Sequence, residues 1–251
     1  TPVPPTPIPV APTPTPVPPT PTPVPKPKYS EAPMLAELVK AGKLPPVEER
    51  LPKKPRVLPV YEEIGTCGGT LHMAWRGQKK DRWGLEKLIE ERMVQFYMPT
   101  PGELEIVPTV CDWYEVSPDA KEFTFHIREG LKWSDGVEVT TEDVRFWYED
   151  IWLNKDLTPT FKHWLMAGGK PCEIEILDKY TFKVKFAEPY ATFIYPLTRY
   201  GTPNSYTAAS FLAPSHYLKK FHPKYVSKEE LDKICKEWGV DHWTKLWGKG
   251  K

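Results

Sequence analysis

The chain has 251 residues, 40% of them hydrophobic, enough for one large domain or two small ones around a real core. Its 34 basic and 33 acidic residues leave a formal charge of +1, and no basic stripe answers a phosphate backbone, so nucleic acid is excluded as the expected partner. No apolar run approaches the roughly 20 residues that span a bilayer. The first residue is Thr1 and no charged-then-apolar leader follows it, so an export signal is expected to have been removed.

Proline marks the first boundary. Fourteen of the 31 prolines fall in the first 27 residues, alternating with Thr and Val. Such a tract has its φ angles fixed and nothing to bury, so it stays extended as polyproline II, reaching about 80 Å at about 3.1 Å per residue. Residues 1–28 read as a disordered tether on an exported protein, or as a linker to a further module upstream.

Residues 29–64 form a second unit. Met34, Leu35, Leu38 and Val39 recur at helical spacing behind Ser30, the expected N-cap, and Gly42 with Pro45-Pro46 stops the helix. The charged, proline-rich stretch 43–64 is expected to lie as a strap over the body. From 65 to 251 a third unit follows. Gly68-Gly69 introduces a strand, Thr70 to Trp75, and Leu85, Leu88, Ile89, Met93 and Phe96 predict a second amphipathic helix.

The middle of the chain is the most legible. Phe123, Phe125 and Ile127 alternate with Thr124, His126 and Arg128 as in a half-buried strand. Ser134-Asp135-Gly136 is a tight turn, with Trp133 before it expected to plug one end of the sheet. Thr140 with Asp143 opens a helix by a capping box, and Val144, Trp147, Tyr148, Ile151 and Trp152 form its inner face. Ile174 and Ile176, a turn at Asp178-Lys179, and Tyr180, Phe182, Val184 and Phe186 predict a hairpin. Ser227 with Glu230 caps a last helix, facing inward through Leu231, Ile234, Cys235 and Trp238 and ending at Gly239. This mixture predicts an α/β fold of the α+β, mixed-sheet kind, not a bundle or a sandwich.

Enzyme signatures are absent: no GxSxG, HExxH, GxxxxGK[ST] or GxGxxG occurs. The histidines at 72, 126, 163, 216, 222 and 242 lack metal-ligand spacing, and His126 reads as a hydrogen-bonded structural residue. Neither metal nor cofactor is expected. Cys67, Cys111, Cys172 and Cys235 are too scattered for a CxxC motif and read as small buried hydrophobes, with disulfides open if the protein is exported. Glu103, Glu105, Asp112, Glu115 and Asp119 leave room for the paired carboxylates of a glycoside hydrolase, so the alternative reading is a secreted glycoside hydrolase or carbohydrate-binding module on a Pro-Thr linker. The positive signal is aromatic: ten tryptophans and 12 tyrosines. Trp75 and Trp83 bracket a polar stretch, Arg76 to Arg82. This is either a ligand-stacking loop or a loop that covers its own strand. The candidate ligand-binding residues are Trp75, Arg76, Asp81, Trp83 and Tyr97, and Trp133, Ser134, Asp135 and Gly136 form a structural motif.

Read in order, several segments resemble the family 5 extracellular solute-binding proteins, the dipeptide- and oligopeptide-binding receptors of ABC importers. Phe123 to Asp150, FTFHIREGLKWSDGVEVTTEDVRFWYED, carries the family's strand, turn and Thr-capped helix. Around it fall Gly68 to Leu71, Val107 to Pro118, Asp178 to Pro189 and the APSHYL of Ala213 to Leu218, while Tyr29 to Pro52 resembles a subgroup's N-terminal extension. The resemblance implies the N-terminal part of lobe I of a two-lobed periplasmic-binding-protein-like fold (type II, cluster C), with the second lobe missing. It implies a non-catalytic monomer that closes by a hinge on an oligopeptide or oligosaccharide and delivers it to ABC permease subunits. It also implies an extracytoplasmic location, with lipid anchoring through an N-terminal cysteine absent from the chain.

Overall fold

The computed structural model describes residues 29–58, 60, 63–70, 72, 91–100, 102–200 and 211–249. Its centre is an antiparallel four-stranded sheet built from β3 (Cys111–Val116), β4 (Glu122–Ile127), β7 (Glu173–Ile176) and β8 (Thr181–Lys185), in the order β3-β4-β8-β7. The expected hairpin is β7–β8, with Ile174 opposite Val184 and Ile176 opposite Phe182. Its turn is held by Asp178, whose Oδ1 accepts from the backbone N–H groups of Tyr180 at 2.8 Å and Thr181 at 2.9 Å.

Strand alternation divides the sheet into two unlike faces. Phe123, Phe125, Ile127, Phe182 and Val184 are fully buried on one. The other carries ion pairs across the strands, Lys183 to Glu122 at 2.9 Å and Lys185 to Glu175 at 2.5 Å. An antiparallel sheet with one solvated face reads this way in sequence.

The buried face is covered by the capped helix, α3 (Thr141–Phe146), whose Thr140–Asp143 capping box is present as expected. From Trp147 to Trp152 the helix widens to a π-helix. Its i→i+5 repeat sets Trp147 and Trp152 over one another, with rings stacked 5.6 Å apart, where an α-helix would splay them. Trp147 meets Phe211 edge-on at 5.2 Å, and Phe125 stacks on Phe182 at 5.5 Å, so the core is largely aromatic. α4 (Ile194–Tyr200) follows the sheet, and α5 (Ser215–Leu218) packs beside α3. α6 (Lys228–Glu237) has the expected Ser227 cap, buries Leu231 and Cys235, and ends where Gly239 takes φ +63°. α7 (Leu246–Lys249) closes the described chain.

Two short antiparallel pairs flank the sheet: β1 (Val94–Tyr97) with β2 (Glu105–Pro108), and β5 (Met166–Ala167) with β6 (Lys170–Pro171). β1 corrects the sequence reading. Met93 and Phe96 were expected on one face of a helix, but Val94 to Tyr97 are strand, paired from Pro108 back to Glu105. Val94 and Phe96 also fit a period of two, and the aromatic and β-branched residues here favour the extended form once a partner strand exists. The earlier part of that predicted helix lies outside the described residues. Of the predicted strand at Thr70 to Trp75, Thr70 and His72 have no strand structure and the rest lies outside them too.

At the N-terminal side, α1 (Pro33–Lys40) starts later than expected. Its N-cap is Ala32, not Ser30, and no side chain caps it; Pro33 at the first helical position supplies the fixed φ instead. Gly42, at φ +67°, ends it as predicted. The strap contains a single turn, α2 (Val47–Arg50), and then crosses the end of β4. There the Lys53 N–H donates to the Glu129 carbonyl at 2.9 Å, Lys53 Nζ pairs with the Glu129 carboxylate at 2.6 Å, and Lys132 Nζ donates to the Glu49 carbonyl.

Candidate functional site

Of the five candidate ligand-binding residues, Trp75, Arg76, Asp81 and Trp83 lie outside the described residues, and Tyr97 ends β1. Tyr97 lines an open groove of about 290 Å³ between the strap and the β1–β2 pair. Arg56, Val57 and Leu58 form the strap wall, Glu105, Val107 and Pro108 the β2 wall, and Asp112 and Arg128 close the base.

A register shift between Cys111 and Trp113 in the β3–β4 ladder frees Asp112 from regular pairing. Such bulges re-aim a side chain. Here Asp112 Oδ1 lies 2.6 Å from His126 Nδ1, and Trp113 stacks on the imidazole at 5.3 Å with 13° between planes. Tyr180 stands on the same imidazole at 6.1 Å. His126 is therefore a hydrogen-bonded structural residue, as its sequence position indicated.

Arg128 is buried, and its three nitrogens are spent on backbone carbonyls: Nε on Thr109 at 3.1 Å, Nη1 on Lys54 at 2.6 Å and Nη2 on Cys111 at 3.2 Å. One guanidinium thus bolts the strap to the edge of the sheet. Strand alternation flagged Arg128 as outward-facing but gave no sign of this clamp, because its partners are main-chain atoms. Arg56, by contrast, keeps only a 3.4 Å contact with Gln95 Oε1 among the described residues, and its guanidinium carbon stands 5.9 Å from the centre of the Tyr97 ring.

The structural motif lies elsewhere. Trp133 packs against the core and its Nε1 donates to Asp143 Oδ2 at 3.1 Å. Asp135 Oδ2 lies 2.7 Å from His216 Nε2 on α5, and that hydrogen bond is the main cause holding the Asp135 carboxyl below its ordinary range. Gly136 takes φ +89°, which the turn requires. These residues join a turn to two helices.

Every described carboxyl group with a resolved pKa shift is shifted down, the opposite of what a general acid needs. Asp119, among the five carboxylates with hydrolase potential, is lowered chiefly by the Ser117 hydroxyl. Among the described residues no group of three or more His, Cys, Asp or Glu is placed to hold a metal ion, and no helix is long and apolar enough to cross a membrane. All four cysteines are free thiols: Cys111, Cys172 and Cys235 are buried, as expected, while Cys67 is exposed.

This fold recurs in solved periplasmic binding proteins. The oligopeptide-binding protein OppA matches 88% of this chain and 32% of its own, with TM-score 0.73 and 40% identity. MelB from Agrobacterium fabrum C58, solved with stachyose, matches 80% of this chain and 32% of its own, with TM-score 0.54; at 24% identity it shows the fold alone. The class is that of the solute-binding proteins. The family model described as bacterial extracellular solute-binding proteins, family 5 Middle, matches residues 105–233, and the chain belongs to that family. Among curated relatives, the periplasmic alpha-galactoside-binding protein of Rhizobium meliloti (strain 1021) is 30% identical over 79% of this chain and 30% of its own length. The probable D,D-dipeptide-binding periplasmic protein DdpA of Escherichia coli (strain K12) is 25% identical over 70% of this chain and 32% of its own. The chain thus spans about a third of the length of these relatives.

Proposed function

We propose that this chain is part of the substrate-binding component of an ABC importer, which captures peptides or oligosaccharides outside the cytoplasm and hands them to a membrane permease without transforming them. The observation that carries this reading is the 88% of the chain that follows the OppA fold at 40% identity. The names of relatives for alpha-galactosides and for D,D-dipeptides support the two ligand classes.

Within that reading, residues 1–28 are a tether, residues 29–64 an extension and residues 65–251 a portion of the first lobe of a monomeric receptor, lipid-anchored through a cysteine upstream. Trp75, Arg76, Asp81, Trp83 and Tyr97 contact the ligand. Closure follows from binding only if the ligand touches both lobes at once. The test is tryptophan fluorescence of the complete receptor titrated with a trisaccharide and a tripeptide, with mass spectrometry of the ligand afterwards. A saturable change with ligand recovered intact supports transport. Turnover of a glycan, abolished by Glu115→Gln, would overturn it in favour of a hydrolase.

A further inference from the structure

The strap presents a combination that its role as a clamp does not explain. Having been bolted down through Arg128 at Lys54, it holds Val57 and Leu58 at 82% and 59% exposure beside the groove. Arg56 is poised over Tyr97, with most of its donors unspent among the described residues. Keeping apolar side chains wet at a fixed place costs hydration free energy, which a bound molecule covering them would relieve.

The groove's chemistry narrows what that molecule is. Two guanidiniums, Arg56 and Arg128, and two carboxylates, Glu105 and Asp112, line it, so its formal charge cancels. Arg128 is buried, with one N–H of each nitrogen committed to a main-chain carbonyl, whereas the less engaged Arg56 offers a planar fork. Asp112 uses Oδ1 on His126, and the Glu105 carboxylate makes no side-chain hydrogen bond or ion pair among the described residues, so acceptors stand on the β2 wall and at the base of the groove. A lining of balanced charge that offers donors, acceptors and a tyrosine ring suits a ligand that is uncharged and both gives and receives hydrogen bonds. An α-carboxylate would be drawn to Arg56 but repelled by Glu105 and Asp112. At about 290 Å³ the groove falls just below the range of small-molecule sites, which begins at about 300 Å³, so it has room for a single unit of a longer ligand.

We infer that this groove binds a neutral sugar unit and that Arg56, supplied by the extension, is a specificity-determining residue for it. The inference rests on the receptor reading above and commits it to sugar. Raffinose and trialanine serve as probes, titrated calorimetrically against the complete receptor and its Arg56→Ala and Arg56→Lys variants, with circular dichroism checking that each variant folds. Raffinose binding should weaken about tenfold in Arg56→Ala and by a smaller factor in Arg56→Lys, which keeps the charge but loses the fork. Wild-type affinity should hardly change between about 0.05 and 0.5 M salt, since the ligand is neutral. Raffinose binding that is unaltered in both variants would overturn the inference and leave the receptor reading intact. So would binding of trialanine in preference to raffinose. Binding of neither probe, with a glycan turned over instead, would overturn both.

Discussion

Asp143 is shared: its Oδ2 accepts from the Trp133 indole at 3.1 Å and from the Thr140 N–H at 3.1 Å, while Oδ1 accepts from the Ser215 N–H at 2.9 Å. One carboxylate at 2% exposure therefore holds the turn, the start of α3 and the start of α5 together. Asp143→Ala strands these buried donors and should cost about 2–4 kcal/mol of stability, measured by urea denaturation. A loss below about 0.5 kcal/mol, the range of ordinary surface substitutions, would show that the three segments do not depend on it.

The adjoining turn separates backbone strain from crowding. A Cβ on Gly136 meets nothing within 4 Å, so only its φ of +89° penalises substitution. Gly136→Val should lose about 1–3 kcal/mol and Gly136→Asn distinctly less, because Asn tolerates positive φ. Equal losses in the two variants would contradict this origin.

Asp135 should shape the acid side of the stability curve. Its folded pKa is depressed, mainly by the His216 hydrogen bond, so the folded state releases this proton more readily than the unfolded chain. The resulting stability is present above the ordinary Asp value of about 4 and is lost as pH falls through the folded value. Asp135→Asn should flatten melting temperature against pH in that window, and an unchanged profile would refute the coupling.

His222 works in a different window. It is buried and its pKa is lowered, first by desolvation, with Lys224 adding to the shift against an opposing pull from Asp150. Nδ1 accepts from the Lys224 N–H at 3.2 Å, which a neutral imidazole does, while Nε2 lies 3.2 Å from the Asp150 carbonyl and 3.1 Å from the Asn154 amide nitrogen. The unfolded chain takes up a proton near pH 6.5 that the folded one refuses, so stability falls as pH drops below about 6.5 and levels off below the folded value. His222→Gln should remove that slope; its persistence would place the titration on another group.

Thiol chemistry offers an independent check of burial. Burial pushes both Cys111 and Cys172 up to about 12, and Cys235 is also raised and buried, whereas Cys67 is exposed. Ellman's reagent should titrate one thiol in the native protein and the other three only after denaturation. Two or more fast thiols would contradict the packing.

Much of the sheet was legible because its strands are half-buried. Phe123, Phe125 and Ile127 against Thr124, His126 and Arg128 can be read with no knowledge of partners. Capping at Thr140 and Ser227 was equally local. What failed was non-local. Met93 and Phe96 satisfy helical spacing by coincidence, and only pairing with Glu105–Pro108 makes β1 a strand. The π-helix was hidden because its inner face lists the same residues as an α-helix would. At the site, Tyr97 was within reach of sequence reasoning, but Arg56 and Asp112 were not. The strap is held beside the groove by Arg128's hydrogen bond to the Lys54 carbonyl, a main-chain contact that sequence does not show, and Asp112 reaches the groove through a bulge.

The claim that this chain serves capture and not catalysis is tested most directly by calorimetry of the complete receptor with raffinose and trialanine, alongside its Trp75→Ala and Trp83→Ala variants. The account predicts stoichiometric binding of intact ligand that weakens in at least one variant with little change in melting temperature. Affinity unchanged in both variants would remove that loop from the site, and conversion of the ligand to products would contradict the account itself.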